Sequence, residues 1–565
     1  MYKGIGGSAG IGIGKVMLIV EQSLDFTPKT VSDTDAELQR YRNAVSKFCQ
    51  NTEQQAEQLK KSAGEKEAEI IMGHILMIQD PYMNSEIENS IKGGNCAEQA
   101  LTDICNMFIT VFSSADDELT QQRATDVKDI KNAILAILLG VEEVKISDAP
   151  KGTILVAKDL TPSMTAGINK DNVVGIITEV GGKTSHSAIL ARALEIPAVL
   201  SVQNITSKVK DGDTVIVDGN EGDVIENPSE DKILEYSEKR TAYLKEKAEL
   251  SKFIGKATAT KDGAVVELVG NIGKVDDANK VIECDGEGIG LFRTEFLFMD
   301  RDKMPTEEEQ FEAYKKVALI MKDKPVIIRT LDVGGDKDIP YLGLTKEENP
   351  FMGFRAVRYC LKNIDLYKTQ LRALLRASAY GEIKIMVPLV VDIEELRSVK
   401  AIVKELMAEL DAENVEYNKD IQIGVMIETP AASLIADILA KEADFFSIGT
   451  NDLTGYTMCV DRGNADVAYL YSPFQPAVLR SIKHIIECGN RENIMVGMCG
   501  EAAADPMLIP LLISFGLNEF SVSATSVLAT RKAISQWSKE DADKVTLEVM
   551  AMTSEKDIIT YLKSI

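Results

Sequence analysis

Eight short apolar runs recur between residues 265 and 524, each separated from the next by a segment of helical periodicity, and this alternation leaves the C-terminal half few folds to choose from. The runs are 265–272, 288–293, 326–332, 383–390, 421–428, 445–451, 494–500 and 519–524. Eight strands alternating with helices over about 260 residues match a (β/α)8 TIM barrel, whose usual length is ~250 residues. Barrel enzymes carry their chemistry at the C-terminal ends of the strands. Arg293, Arg329, Glu428, Asn451 and Cys499 each stand at or just after such an end, and Asp452 directly follows Asn451.

The N-terminal half reads differently. Residues 4–20 read as one strand with glycine-rich flanks. Thr34 and Glu37 then have capping-box spacing, and Leu38, Tyr41, Val45 and Phe48 follow on one helical face. Helical patterns continue to about Leu139, so residues 22–144 are expected to be a helical subdomain inserted after the first strand. Strand signals return at 152–157, 173–180, 197–202 and 214–219, alternating with short helices. Residues 1–21 and 145–230 therefore make a small α/β domain, 231–260 a charged linker helix, and 261–565 the barrel domain. The fold class predicted is a multidomain α/β protein.

Composition narrows the roles open to it. A chain of 565 residues exceeds what one core supports. Its net charge of −25 repels nucleic acid and anionic lipid, so neither is an expected partner. No apolar run reaches the ~18 residues that span a bilayer, and the glycine-rich start lacks the pattern of a secretory signal. A cytoplasmic protein without membrane insertion is expected. The eight cysteines are scattered without CxxC pairs, which predicts reduced thiols.

Residues 179–199, EVGGKTSHSAILARALEIPAV, hold the most specific local signal. Gly181 and Gly182 permit a tight turn after a strand, and Thr184 or Ser185 can cap a helix whose first turn contains His186. Unpaired N–H groups and the positive end of the helix dipole stabilise an anion there, which is what a phosphorylated imidazole becomes. The same field disfavours imidazolium and keeps a ring nitrogen free to attack. The plainer alternative is a histidine that only caps its helix. Of the three histidines, this one alone lies in a glycine turn at a helix start.

That segment, with DLTPSMT at 159–165, resembles the phosphohistidine region of the phosphoenolpyruvate-utilising enzymes. GIGLFRTEFLFMDR, IIRTLDVGGDK, ENPFMGFRA, MIETPAA, FFSIGTNDLTGYTMCVDRGN and GMCGE resemble their barrel motifs. Domain order, with GIGGSAGIGIGKV first and the histidine domain before the barrel, narrows the resemblance to the enzyme I family of the sugar phosphotransferase system.

The resemblance implies that His186 accepts the phosphoryl group of phosphoenolpyruvate, with Thr165 and Thr184 beside it, and that Cys499 is the general acid that protonates enolate to pyruvate. Arg293, Arg329 and Arg462 become clamps for phosphate and carboxylate, with Arg355 and Lys337 adding positive charge. Glu428 and Asp452 supply hard oxygen ligands to Mg2+, and Asn451 donates its amide to the phosphate. It further implies a homodimer through the barrel domain and delivery to the phosphocarrier protein HPr. HPr would dock on a helical stripe with Ile70, Ile71, His74, Ile75 and Ile78, where His74 is a contact candidate. One departure stands out: the family's NDLTQYT is NDLTGYT here, with Gly455 removing a side chain beside the metal ligands. A dikinase charged from ATP would need a nucleotide-binding domain before residue 150, where only the helical insertion stands. A silent phosphoenolpyruvate sensor would be expected to have lost His186, Cys499 or a metal carboxylate.

Overall fold

The computed structural model describes the chain except residues 20–23, 63–64, 115–117, 142–145, 147–148, 161–163, 165–167, 183–184, 300, 302, 335–338, 345–346, 462–463 and 465, together with the side chains of 58–71, 118–122, 186, 193 and 340. It divides into two compact units, Met1–Lys247 and Ala248–Ile565.

The first unit holds one sheet of eight strands: β1 (Tyr2–Lys3), β2 (Ile5–Ser8), β3 (Ile11–Ile19), β4 (Thr153–Ala157), β5 (Val173–Thr178), β6 (Ala198–Leu200), β7 (Thr214–Asp218) and β8 (Asp223–Glu226), in the order β1-β8-β7-β3-β4-β5-β6-β2. The run read as a single strand over 4–20 is broken at Gly10, whose φ of +118° turns the chain so that β2 pairs with β6 and β3 with β4 and β7. Val20 lies outside the described residues. Strand β8 was not foreseen, because DVIE offers only two apolar residues; it pairs antiparallel with β7.

Five helices, Thr34–Ser62, Glu65–Ile78, Pro81–Lys92, Ala97–Ser113 and Glu118–Leu139, lie between β3 and β4. Leu38, Tyr41 and Phe48 are buried in their shared core and Val45 packs against it. The capping box expected at Thr34 sits differently. Asp33 takes the capping role, its carboxylate accepting from the Ala36 N–H at 3.0 Å. Glu37 is spent elsewhere, on the Ala97 N–H at 2.8 Å and on Arg40. No helix among the described residues is long and apolar enough to cross a membrane.

The second unit is the TIM barrel. Strands β9 (Glu267–Ile272), β10 (Ile289–Arg293), β11 (Val326–Arg329), β12 (Ile383–Val387), β13 (Ile423–Ile427), β14 (Phe445–Gly449), β15 (Met495–Cys499) and β16 (Glu519–Ser523) pair in parallel and close on themselves through β16 and β9. All eight predicted runs are strands of this barrel. Side chains alternate between its two faces. Leu291, Ile327, Met386, Met426, Phe445 and Cys499 fill the interior, whereas Ile328, Val425, Ile427, Phe446 and Met498 join the large core formed with the surrounding helices. This parity aims the chemistry. Arg293, Arg329 and Glu428 stand two residues beyond the inward Leu291, Ile327 and Met426, and so face the barrel mouth.

The same parity turns Glu519 inward at the opposite end, where it is 1% exposed and its Oε1 has no hydrogen-bond partner among the described residues. Burial, and then the nearby charge of Glu267, push its pKa up to about 8, with Lys384 pulling the other way. A carboxyl whose folded pKa lies above its unfolded value stabilises the fold below the unfolded pKa and loses that contribution as pH rises through the folded one. Barrel stability is therefore expected to fall between about pH 4.5 and pH 8, by on the order of 3–5 kcal/mol, and Glu519→Gln should flatten the fall. Trp537, the one tryptophan, lies in the barrel unit, so its fluorescence during denaturant unfolding at pH 5.5 and 8.5 reads this unit directly. An equal pH dependence in the variant would refute the assignment.

Candidate active site

The histidine segment is built from a strand end. After β5 the Thr178 hydroxyl donates to the Val180 carbonyl at 2.6 Å, and Gly181 takes a φ of +109°, a conformation that favours glycine. Ser185 is extended and its Oγ accepts from the Ala188 N–H at 3.3 Å, which makes Ser185 the cap of helix His186–Ala193. His186 is thus the first helical residue, where N–H groups have no helical acceptor. Its ring lies outside the described side chains, and Thr165 and Thr184 lie outside the described residues. The buried Ser187 hydroxyl lies 3.2 Å from the Leu160 carbonyl and 3.3 Å from Asp159 Oδ1, tying the helix start to the DLTPSMT segment.

At the C-terminal ends of the barrel strands lies a cavity of about 450 Å³. Its lining brings together Arg293, Arg329, Arg355, Glu428, Asn451, Asp452 and Cys499, seven of the residues singled out in the sequence. Lys337 and Arg462 lie outside the described residues. Glu295, Asp332 and Glu501 also line it and were not singled out, although all three stand within the barrel motifs, Glu295 two residues after Arg293, Asp332 three after Arg329 and Glu501 two after Cys499.

Two of the arginines are locked. Arg329, 6% exposed, donates to Glu295 at 2.8 Å and pairs with Asp332 at 3.1 Å, while its Nε has no partner among the described residues. Arg355 grips both oxygens of Asp332, at 2.8 and 3.0 Å, and reaches Asp452 at 3.4 Å. Burial alone would lower both guanidinium pKa values, but the surrounding carboxylates, Asp332 among them, more than offset it and hold both above the usual range. Arg293 differs: it is exposed, lies over the Phe296 ring at 5.2 Å and has no ion-pair partner among the described residues. Among the described residues its donors are free for an anion.

Glu428 is 2% exposed, and its Oε1 accepts from the Leu389 N–H at 2.7 Å. Burial first, and then the neighbouring Asp452 charge, raise its pKa above the carboxylate range. Asn451 and Asp452 begin the helix Thr450–Met458 directly after β14. Cys499, 5% exposed on β15, donates to the Ile448 carbonyl at 3.5 Å, and burial followed by the Glu428 charge pushes its thiol up to about 12. The thiol therefore keeps its proton at neutral pH.

Among the described residues no group of three or more His, Cys, Asp or Glu side chains is poised to hold a metal ion. Among the described residues, three arginines and five carboxylates line the cavity. Gly455 borders a second cavity of about 420 Å³ that shares Asn451 and Asp452 with the first. A Cβ at that position would meet the Val460 carbonyl at 3.2 Å.

The structure corrects the reading of the helical stripe. His74 is 2% exposed and lies 3.5 Å from Asp126, and Ile75 and Ile78 are buried with it. At this spacing the residues pack inward, as apolar helical stripes usually do, so the His74 ring does not present itself to a partner. Ile70 and Ile71 lie outside the described side chains.

A closed parallel barrel with arginines, carboxylates and a protonated thiol at its mouth, on one chain with a histidine at a helix start, defines a phosphate-handling enzyme class. The family models agree: residues 3–123 match the N-terminal domain of the PEP-utilising enzymes, 149–222 their mobile domain and 247–539 their PEP-binding domain. The phosphoenolpyruvate-protein phosphotransferase of Staphylococcus carnosus (strain TM300) is 47% identical over 562 residues, covering 99% of this chain and 98% of that one. The enzyme of the same name from Bacillus subtilis (strain 168) is 46% identical over 562 residues, covering 99% of each. This chain belongs to the phosphoenolpyruvate-protein phosphotransferase family.

Proposed function

We propose that the chain moves the phosphoryl group of phosphoenolpyruvate onto His186 and then onto the phosphocarrier protein HPr, releasing pyruvate, as the cytoplasmic first step of sugar uptake by the phosphotransferase system. The observation that carries this reading is the barrel mouth, where an unpaired Arg293, two arginines held in a carboxylate cage and the protonated Cys499 share one cavity. Arg293 and Arg329, joined by Arg462, bind the phosphate and carboxylate; Arg355 and Lys337 add charge, and the Asn451 amide donates to the phosphate. A ring nitrogen of His186 attacks phosphorus, the bond from phosphorus to the enol oxygen breaks, and the enolate carbon takes the proton of Cys499. Thr165 and Thr184 orient the histidine.

Magnesium fits the neighbouring carboxylates Glu428 and Asp452, which line one cavity and feel each other's charge. Glu428 and Asp452 would hold it, and the ion would neutralise charge on the phosphoryl group and the acids together. Glu428→Gln is expected to raise the Mg2+ concentration for half-maximal activity about tenfold or more, since one of two anionic ligands is lost; an unchanged metal titration would remove Glu428 from the site.

The domain division belongs to the same proposal: a phosphohistidine domain at 1–21 and 145–230, a helical insertion at 22–144 that docks HPr, a linker at 231–260, and a barrel at 261–565 that forms a homodimer. With His74 buried, docking falls instead to the exposed Met72, Leu76, Tyr82, Met107 and Val111 of the helical subdomain. Met72 and Leu76, like Met107 and Val111, are four residues apart on one helical face, and Tyr82 packs edge-on against Phe108.

The test is incubation of the purified chain with phosphoenolpyruvate and Mg2+ without ATP, followed by assay for pyruvate and mapping of acid-labile phosphate. Phosphate on His186 is the expected result. No phosphate until ATP is added would restore the dikinase reading, and no phosphate at all with phosphoenolpyruvate still bound would make the chain a sensor.

A further inference from the structure

A cavity of about 540 Å³ lies wholly within the N-terminal unit, and none of its walls belongs to the barrel mouth or to the histidine turn. It is bounded by the glycine-rich turn at 8–11, the chain around 170–174, and the helix Glu230–Ser251 as far as Lys247. Among the described residues, four cationic side chains line it, Lys170, Arg192, Arg240 and Lys247, against Asp171 and Glu195. The chain as a whole carries 88 acidic and 63 basic residues, so a cleft with a positive excess runs against its general charge.

Two acids against four cations neutralise this cluster only in part. Glu195 is engaged with Lys247 at 2.8 Å, and Arg192 donates through Nη1 to the Gly7 carbonyl at 2.9 Å. Lys170 and Arg240 form no ion pair among the described residues. Like charges facing one cavity repel unless an anion lies between them, and a cleft lined by one sign of charge concentrates the opposite ion. The walls are suited to more than a bare ion. Gly10 has a φ of +118°, and a Cβ there would stand 3.0 Å from Pro197 and 3.6 Å from the Tyr243 ring, so the turn closes against the helix only with glycine. Tyr243, Pro197 and Leu244 supply an apolar face beside the cations. The volume is that of an ordinary small-molecule site.

We propose that this cavity binds a small organic polyanion, with phosphate or carboxylate head groups held between Lys170 and Arg240 and its body against Tyr243 and Pro197. Guanidinium and ammonium recognise both head groups by charge-assisted hydrogen bonds. The site stands apart from the phosphoenolpyruvate chemistry, since none of its residues takes part in it.

Calorimetric titration of the full chain with inorganic pyrophosphate, and separately with citrate, in metal-free buffer tests this. Three forms are compared: the unaltered chain, K170Q/R240Q, and Arg293→Gln. Saturable binding of either probe is expected, retained in Arg293→Gln and weakened about tenfold or more in K170Q/R240Q, with K170R/R240K restoring it. The tighter probe identifies the head group. Binding lost in Arg293→Gln yet unchanged in K170Q/R240Q would place the anion at the barrel mouth and overturn the proposal, as would the absence of binding by both probes. Circular dichroism of K170Q/R240Q separates lost binding from lost folding.

Discussion

Arg329→Gln is expected to cost the barrel about 3–5 kcal/mol and to weaken phosphoenolpyruvate binding by about two orders of magnitude at the same time. Both follow from the cage. Arg329 is the positive partner of Glu295 and Asp332, both 1% exposed, and the Glu428 charge also acts on its guanidinium. Removing one member of a buried ion network leaves the others charged and unsolvated, which is worse than never having built it. Glutamine keeps some of the hydrogen-bonding capacity but none of the charge. Arg293→Gln is the informative contrast. That guanidinium is exposed and makes no ion pair among the described residues, so its loss should move stability by no more than about 0.5 kcal/mol. Its affinity loss should still be large, because its donors are the ones not already spent on carboxylates. Trp537 fluorescence during urea unfolding gives the stabilities and calorimetry gives the affinities. If the two substitutions destabilised the barrel equally, the distinction between a caged and a free arginine would be wrong.

The contrast also explains what the sequence could and could not convey. That Arg293 and Arg329 sit at strand ends was legible, because strand ends follow from apolar runs, and inward direction follows from a period of two. What each arginine does there was not legible, since the cage depends on Glu295, in the 3-10 turn Thr294–Leu297 after β10, and on Asp332, just past β11, and no periodicity predicts the paths of those segments. Glu519 illustrates the same limit: an acidic residue at the start of an apolar run reads as a polar flank, yet parity turns it into the barrel interior. His74 fails in the opposite sense. Its stripe was visible, but a helical stripe states only that one face differs from the other. Burial chose the inner face, and the exposed apolar residues lie at Met72, Leu76, Met107 and Val111. At the histidine turn two caps were open from sequence, and the extended backbone and accepting hydroxyl of Ser185 decide between them.

Cys499→Ala is expected to slow pyruvate release by roughly 10²–10⁴-fold, the range of a lost general acid, while phosphoenolpyruvate affinity changes little. A general acid must hold its proton until the enolate forms. The Cys499 thiol does so because burial, reinforced by the Glu428 charge, pushes it up to about 12. Between pH 6 and 9 the activity should therefore show no descending limb from thiol ionisation, and Cys499 should resist alkylation, which needs thiolate. Cys459, exposed on its loop, is the internal control and should react first with iodoacetamide. The side chain is small and belongs to the inward-facing layer of the barrel, so alanine removes the proton without disturbing the arginines at the mouth. In the proposed reaction, phosphoryl transfer to histidine would be reversible at the enolate stage, and protonation at carbon would be the step that prevents return. Losing it should therefore depress net turnover far more than the first transfer. Rapid-quench measurement of phosphoenzyme and pyruvate in the same samples resolves the two. Equal slowing of both products, or weakened phosphoenolpyruvate binding at normal turnover, would mean that Cys499 packs the barrel mouth and does not donate the proton.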